Sequence, residues 1–535
     1  MTTTPSAYSA TAPTAPPPSC DVLVVGGGIN GAGIARDLAG RGLSVVLCEK
    51  DDLGSHTSSS STKLIHGGLR YLEYYEFGMV RKSLLERERL LRGAPHIMWP
   101  LRFVMPHDPS MRPAWMIRAG LFLYDHLARR EWLPGSQGVR LREHPAGAVL
   151  KPQFSKGFVY SDGWVDDARL VVLNAMDAAS RGARILTRTR CMNAQARGGL
   201  WQVQLESRTG TGTPAPLRAR ARALVNAAGP WAAQFLRDAV GRTQTKALRL
   251  VKGSHIVVPR LFEHEHAYIF QNPDGRIIFA IPYEECFTLI GTTDIEWQGE
   301  AAAVRIDEHE IAYLCEQAGR YFAQPVTPAS VVWSYSGVRP LIDDEAGNPA
   351  AVTRDYRLEL AREAGAAPLL SVWGGKITTF RRLAEEAANL LVQALGRGGA
   401  AWTEGAPLPG GDLAAGGWIA PSGRPDTDLQ RFTEALALRL PPGVGAATGR
   451  RWARAYGSRV QSLLNAPTLG AEVAPGLFEA ELRYLHQHEW ACSADDVLWR
   501  RSKLGLHLTP REREAVAAWW AAQAAPARTR PMDPA

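Results

Sequence analysis

The chain has 535 residues, 45% of them hydrophobic, which is enough to bury a large core over two to four domains and excludes a wholly disordered protein. No apolar run approaches the roughly 18 uncharged residues needed to span a bilayer; the longest candidate, Met116 to Tyr124, is broken by Arg118. The net charge of +8 is uneven, with twelve Lys or Arg against five Asp or Glu between Gly78 and Arg142, a balance that suits nucleic acid, anionic lipid or plain solvent.

Residues 1–19 are rich in Thr, Ala and Pro and lack the positive start and apolar stretch of a secretory signal, so a disordered tail is expected there. The six cysteines lie far apart with no close pair. That spacing fits reduced thiols of a cytoplasmic protein and gives no reason to expect a metal site. No repeat of solenoid length is present.

Residues 21–49 read as strand DVLVVG, helix NGAGIARDLAGR and strand SVVLCE, a βαβ unit of dinucleotide-binding length. In its loop Gly26 permits the tight turn, Gly28 lets the backbone approach a pyrophosphate, and Gly31 lets the helix pack closely on the strands. Asn30 opens the helix, whose exposed N–H groups and dipole favour an anion. Glu49 ends the second strand, placed to accept hydrogen bonds from an unphosphorylated adenosine ribose, which disfavours NADP.

Next comes a run of five hydroxyl residues, Ser58 to Thr62, ahead of Lys63 and His66. It reads either as donors for a cofactor or as a solvated polar loop. Residues 99–132 interleave Trp99, Phe103, Trp115, Met116 and Phe122 with Arg102, Arg112, Arg118, Arg129 and Arg130. Such a mixture suits a lipid surface or a core helix pair with a solvated face. No nucleic-acid-binding motif accompanies it.

Two later segments turn a dinucleotide site into an FAD site. ARALVNAAGPWA (221–232) is an apolar strand ending in small residues, Gly229 among them, as expected where a strand passes close to a cofactor. LLSVWGGKITTF (369–380) offers backbone donors at Gly375 and side chains at Lys376, Thr378 and Thr379. A cofactor touching three such distant segments is large. His255, in LVKGSHIVVP, is the best-suited general base, although a satisfied histidine at a strand start is the plainer reading. Arg70, Arg339 and Arg354 each sit beside Gly, Pro or a polar turn and suit a phosphate, whose oxygens the guanidinium fork matches.

Residues 396–428 are dense in Gly and Pro and read as a linker. Beyond them, 429–535 holds four helical runs, the first FTEALALRL and the last REREAVAAWWAAQ, and is expected to form a separate helical domain.

GGGINGAGIARDLAGRGLSVVLCEK, TSSSSTKLIHGGLRYLE, GSHIVVP, SGVRPL, TRDY and GGKITT occur in the order in which this chain resembles the bacterial FAD-dependent, quinone-linked glycerol-3-phosphate dehydrogenases. The likeness covers residues 20–535 and is most specific at HGGLRYLE and SGVRP. It implies an α/β (α+β) fold: a Rossmann-like FAD-binding domain interleaved over 20–395 with a sheet-based substrate domain, then a C-terminal helical cap. It also implies noncovalent FAD, with the hydroxyl loop (Ser59, Ser60, Ser61, Lys63, His66) against it. Arg70, Tyr71, Arg339 and Arg354 would bind substrate, and His255, Arg339 and Lys376 would carry the chemistry, Lys376 by stabilising an alkoxide or the reduced flavin. The implied reaction is oxidation of sn-glycerol 3-phosphate to dihydroxyacetone phosphate. Electrons would pass to ubiquinone at an anionic membrane surface, with the protein peripheral or monotopic on the cytoplasmic face. An oxygen-using oxidase and a non-catalytic flavin-binding scaffold are the alternatives, and a homodimer is left open.

Overall fold

The computed structural model describes residues 19–108, 112–208, 215–243, 245–342, 355–362 and 366–524. The expected tail lies almost wholly outside them, as does Arg354.

The chain enters the fold through strand β1 (Cys20–Val25), all six of whose residues are buried. Such an unbroken apolar run belongs in the middle of a parallel sheet covered on both faces. β1 lies between the strands Ala215–Asn226 and β2 (Val45–Cys48), both parallel to it. Leu369–Trp373 and Arg184–Leu186 extend the parallel set on either side. Helix α1 (Ile29–Gly40) connects β1 to β2 and is buried along most of its length. It packs between the helices Asp167–Ser180 and Phe380–Leu395, so the expected βαβ unit is also the centre of the largest hydrophobic core.

A second, ten-stranded and mostly antiparallel sheet stands beside the first. Two of its strands matter most for function. The strand Leu248–Pro259, here the histidine strand, pairs antiparallel with Trp333–Ile342, here the arginine strand. The register sets His255 opposite Tyr335 and Val251 opposite Arg339. Core residues cover both faces of this sheet. On one, Tyr268, Phe270 and Ile290 pack with Leu314 of the helix Glu308–Gly319; on the other, Phe103, Tyr160 and Leu289 pack with Val80 and Leu121 from two other helices.

The C-terminal domain contains the helices Pro425–Ala437, Ala446–Tyr456, Glu479–Glu489 and Pro510–Ala524. They close on Phe432, Trp452, Leu482 and Val516, and a small hairpin, Glu472–Ala474 with Leu477–Phe478, joins them. The first helix opens at Pro425, four residues ahead of the expected boundary, with Asp426 and Asp428 in its first turn, a favourable use of Pro and of acidic side chains at a helix start.

The Gly- and Pro-rich segment 396–428 is packed rather than slack. Trp402 donates its indole N–H to the Asp37 carbonyl at 3.0 Å. Leu408 enters the core around α1, while Leu413 and Trp418 enter that of the C-terminal domain. The four apolar side chains scattered among the glycines turn a linker composition into a strap. Among the described residues no helix is long and apolar enough to cross a membrane.

Candidate active site

A cavity of about 490 Å³ runs from the end of β2 to the histidine and arginine strands. At its near end the wall is mainly backbone. Gly26, with φ +114°, turns the chain where a Cβ would stand 2.4 Å from the Ala227 carbonyl oxygen. A Cβ on Gly31 would stand 1.9 Å from the Gly26 oxygen, so only glycine lets α1 start this close to the strand. Gly31 lies behind the wall, whereas Gly26, Gly28 and Asn30 line it. Glu49 is buried and accepts from the Gly27 N–H at 2.6 Å and from the Asp51 N–H at 2.9 Å. Desolvation raises its carboxyl above the ordinary range. Its oxygens retain acceptor capacity toward the cavity, which they line.

The hydroxyl run forms the floor. Ser60, Ser61, Thr62 and His66 line the cavity. Ser59 does not, and its hydroxyl donates back to the His56 carbonyl. Lys63 also turns away from the cavity. Its ammonium is buried, donates to Asp167 at 2.8 Å and to the Ser59 carbonyl at 3.2 Å, and has its pKa lowered chiefly by desolvation. Asp167 also accepts from Ser61 Oγ at 2.7 Å. One buried carboxylate therefore fixes the loop from below, which the sequence signalled only as an acid at the start of the helix Asp167–Ser180. Across the cavity Gly229, Gly375, Lys376 and Thr378 face this floor, and Thr378 Oγ1 accepts from the His66 N–H at 3.3 Å.

At the far end the wall is made of side chains. His255 is buried, its Nε2 3.0 Å from Thr62 Oγ1 and its ring stacked on Tyr335 at 4.7 Å. Gly291 makes room for it, since a Cβ there would stand 2.2 Å from the imidazole. Burial, then Lys63 and Arg339, push the His255 pKa well below 6.5. The imidazole is thus neutral and able to accept a proton.

Arg339 reaches the cavity over Gly253, where a Cβ would stand 2.5 Å from its guanidinium. It donates to the Thr293 carbonyl at 3.1 Å and lies 3.5 Å from Asp294. Lys376 carries its ammonium 3.6 Å above the Tyr71 ring, and both line the cavity. Arg70, in the same short helix Leu69–Tyr74, is half-buried and is not part of the lining. Tyr335 was legible in WSYSGVRPL as a residue on the face of Arg339, by the two-residue strand period, but no sequence argument singled it out.

The mixed stretch 99–132 divides. Trp99 and Phe103 lie in the strand Met98–Pro106, Phe103 fully buried. Trp115, Met116, Phe122 and Leu123 stand exposed on the helix Ala114–His126, Trp115 at 70%. Most of its arginines are engaged within the fold. Arg102 and Arg118 donate to Ser161 and Ser136, Arg130 to Asp125 and Arg112 to Glu73.

Comparison with known proteins fixes the cofactor. A family model described as FAD dependent oxidoreductase matches residues 21–381, and one described as the C-terminal domain of alpha-glycerophosphate oxidase matches 401–525. A glycerol-3-phosphate dehydrogenase of Pseudomonas aeruginosa is 53% identical over 92% of this chain and 93% of its own. The chain belongs to the FAD-dependent glycerol-3-phosphate dehydrogenase family. A D-erythritol 1-phosphate dehydrogenase of Brucella abortus is 50% identical over 95% of the chain and 98% of its own. A crystal structure of the glycerol-3-phosphate dehydrogenase of Bacillus halodurans complexed with FAD superposes with a TM-score of 0.72, at 30% identity, over 94% of this chain and 90% of that one.

The residues fit FAD on their own terms. Gly26 and Gly31 leave no room for side chains, and the carboxylate of Glu49 faces the place a ribose needs. Asn30 Oδ1 is buried beside the cavity without a hydrogen-bond partner among the described residues. A buried acceptor in that state is costly unless a donor reaches it.

Proposed function

We propose that the chain oxidises the secondary alcohol of sn-glycerol 3-phosphate to the ketone of dihydroxyacetone phosphate and delivers the electrons to ubiquinone. The observation that carries the reading is one cavity holding a neutral His255 beside the cations Arg339 and Lys376, continuous with the dinucleotide loop. Arg339 and Lys376, with the Tyr71 hydroxyl, hold the phosphate and orient the glycerol. Of the other two arginines expected from the sequence, Arg70 stands outside the cavity lining and Arg354 outside the described residues. His255 takes the proton of the reacting hydroxyl at Nε2, the substrate replacing Thr62 Oγ1, which lies 3.0 Å from that nitrogen, while the stacked Tyr335 ring fixes the imidazole. Bound FAD would supply the acceptor for the hydride of the carbon bearing that hydroxyl and the relay of the electron pair to the quinone. Lys376 steadies the negative charge that builds on oxygen as its proton leaves and before the hydride departs.

Access to a lipid-soluble acceptor is supported by the exposed face of the helix Ala114–His126, which packs on the short helix carrying Tyr71. Tyr75 and Phe77 add to its apolar surface. Seated at the acyl boundary of an anionic membrane, that face makes the protein a peripheral or monotopic one on the cytoplasmic side. A homodimer on the same face is the competing occupant, and liposome binding by a monomeric sample separates the two.

The 50% identity to a D-erythritol 1-phosphate dehydrogenase favours a second reading, a four-carbon polyol phosphate as substrate. The deciding experiment compares kcat/KM for the two phosphates with a quinone analogue and with oxygen. The first reading requires glycerol 3-phosphate and the quinone to be preferred. Preference for the longer substrate supports the second, and fast peroxide release without quinone identifies an oxidase.

A further inference from the structure

Four aromatic rings connect the C-terminal domain to the proposed base. Trp499 stacks on Trp333 with ring centroids 4.7 Å apart and planes 14° from parallel. Trp333 meets Tyr335 at 5.3 Å, and Tyr335 stacks on His255 at 4.7 Å and 16°. The strand period explains the order. Trp333, Tyr335, Gly337 and Arg339 alternate onto one face of the arginine strand, and the last two line the cavity. The face that carries Arg339 thus ends, six residues earlier at Trp333, under an indole of another domain.

Trp499 is itself fixed. It lies in the turn Asp496–Arg501, whose two arginines both reach Asp52: Arg501 at 2.5 and 2.8 Å, Arg500 at 2.6 Å. Asp496 meets Arg188 at 2.5 Å, and Lys503 donates to the Trp499 carbonyl at 2.7 Å. Asp52 follows Glu49 in a loop that returns to the dinucleotide turn through Gly54 N–H to the Gly27 carbonyl. One turn of the C-terminal domain therefore touches both the cofactor loop and the column behind His255.

We propose that Trp499 is a positioning residue for His255, setting the plane and burial of the imidazole through Trp333 and Tyr335. The proposal rests on the oxidation assigned above. Tyr335 meets Trp333 at 5.3 Å, has the Lys63 ammonium 5.0 Å from its ring centroid, and donates its hydroxyl to the Ser61 carbonyl at 2.8 Å, so Trp333 is the aromatic surface through which Trp499 reaches it. The groups that set the protonation of His255 are Lys63 with its partner Asp167, Arg339 with its partner Asp294, and the Tyr335 ring. Loosening the ring admits water, relieves desolvation and moves the histidine back toward its ordinary value.

The test uses the full-length, FAD-loaded protein and three variants: Trp499→Phe, which keeps an aromatic plane, Trp499→Leu, which keeps apolar bulk without the plane, and Trp499→Ala. Flavin content, glycerol 3-phosphate KM, kcat with a soluble quinone analogue, and the pH profile of kcat/KM are measured. Trp499→Leu is expected to lose about tenfold in kcat, the scale on which small misplacements at a reacting centre act. Its acid limb should move to higher pH while KM and flavin content stay within about twofold. Trp499→Phe should recover most of the rate and the original profile. Trp499→Leu indistinguishable from Trp499→Phe in rate and profile overturns the proposal, as does a rate loss matched by flavin loss with no shift of the profile. Should Trp499→Ala fail to fold, the Leu and Phe variants still decide. A wild-type protein inert toward glycerol 3-phosphate would instead overturn the reading of the reaction itself.

Discussion

At the cofactor end of the cavity the wall is backbone, shaped by glycines at Gly26 and Gly31 and by the start of α1. At the substrate end it is side chain, with His255, Arg339 and Lys376 each held by a second residue: Tyr335, Thr293 and Tyr71. The first kind of wall is set by local sequence and fails when atoms are added. The second depends on partners far along the chain and fails when charge or packing is removed.

Four variants, one of them a double substitution, and one titration test this contrast. The largest effect is expected at Asp167, whose replacement by Asn leaves the buried Lys63 ammonium without its counter-charge. Loss of one partner of a buried pair costs about 3–5 kcal/mol, and chemical denaturation should register it even with FAD bound. Arg339→Ala should raise KM for glycerol 3-phosphate about tenfold to a hundredfold, the scale of a lost charged hydrogen bond, with flavin content unchanged. Equal losses in both would contradict a substrate role. Gly31→Ala should do the reverse, weakening FAD retention about tenfold or more through overpacking against Gly26, while protein that still holds flavin keeps its KM.

The pH response belongs to the side-chain end. The folded pKa of His255 lies well below 6.5, and that of His96, buried and desolvated at the domain junction, falls to about 3. An unfolded chain takes up these protons first as pH falls through 6.5. The stability they contribute is thus whole above 6.5 and is lost as pH drops through the folded values. Unfolding midpoints in denaturant should fall steadily from pH 6.5 toward 3, and the acid limb of kcat/KM should lie below 6.5. The smallest effect is expected on the exposed helix. Trp115→Glu with Phe122→Glu should weaken liposome binding about tenfold and leave the rate with a soluble quinone analogue unchanged.

The same contrast explains what the sequence made legible. The βαβ unit and its loop could be read because a short, contiguous pattern of Gly and alternating elements fixes them. The helices of the C-terminal domain followed from their apolar period, though the strap 396–428 did not, because Trp402, Leu408, Leu413 and Trp418 are too sparse to show a period. Placement of Lys63 and Ser59 away from the cavity depends on Asp167 and His56, and that of His255 on Tyr335 and Gly291. Ser59 turns away through a bond only three residues back, which the run of hydroxyls masks, whereas Lys63 and Asp167 are 104 positions apart and the register that pairs His255 with Tyr335 and Gly291 is specified by no local pattern.

In the reading proposed above, one cavity brings a polyol phosphate, a neutral histidine and FAD together for hydride transfer. Adding sn-glycerol 3-phosphate to the FAD-loaded protein under strictly anaerobic conditions tests it most directly. Rapid bleaching of the oxidised flavin absorbance with stoichiometric dihydroxyacetone phosphate is expected, slowed strongly in His255→Ala. A flavin that stays oxidised with saturating substrate would contradict it.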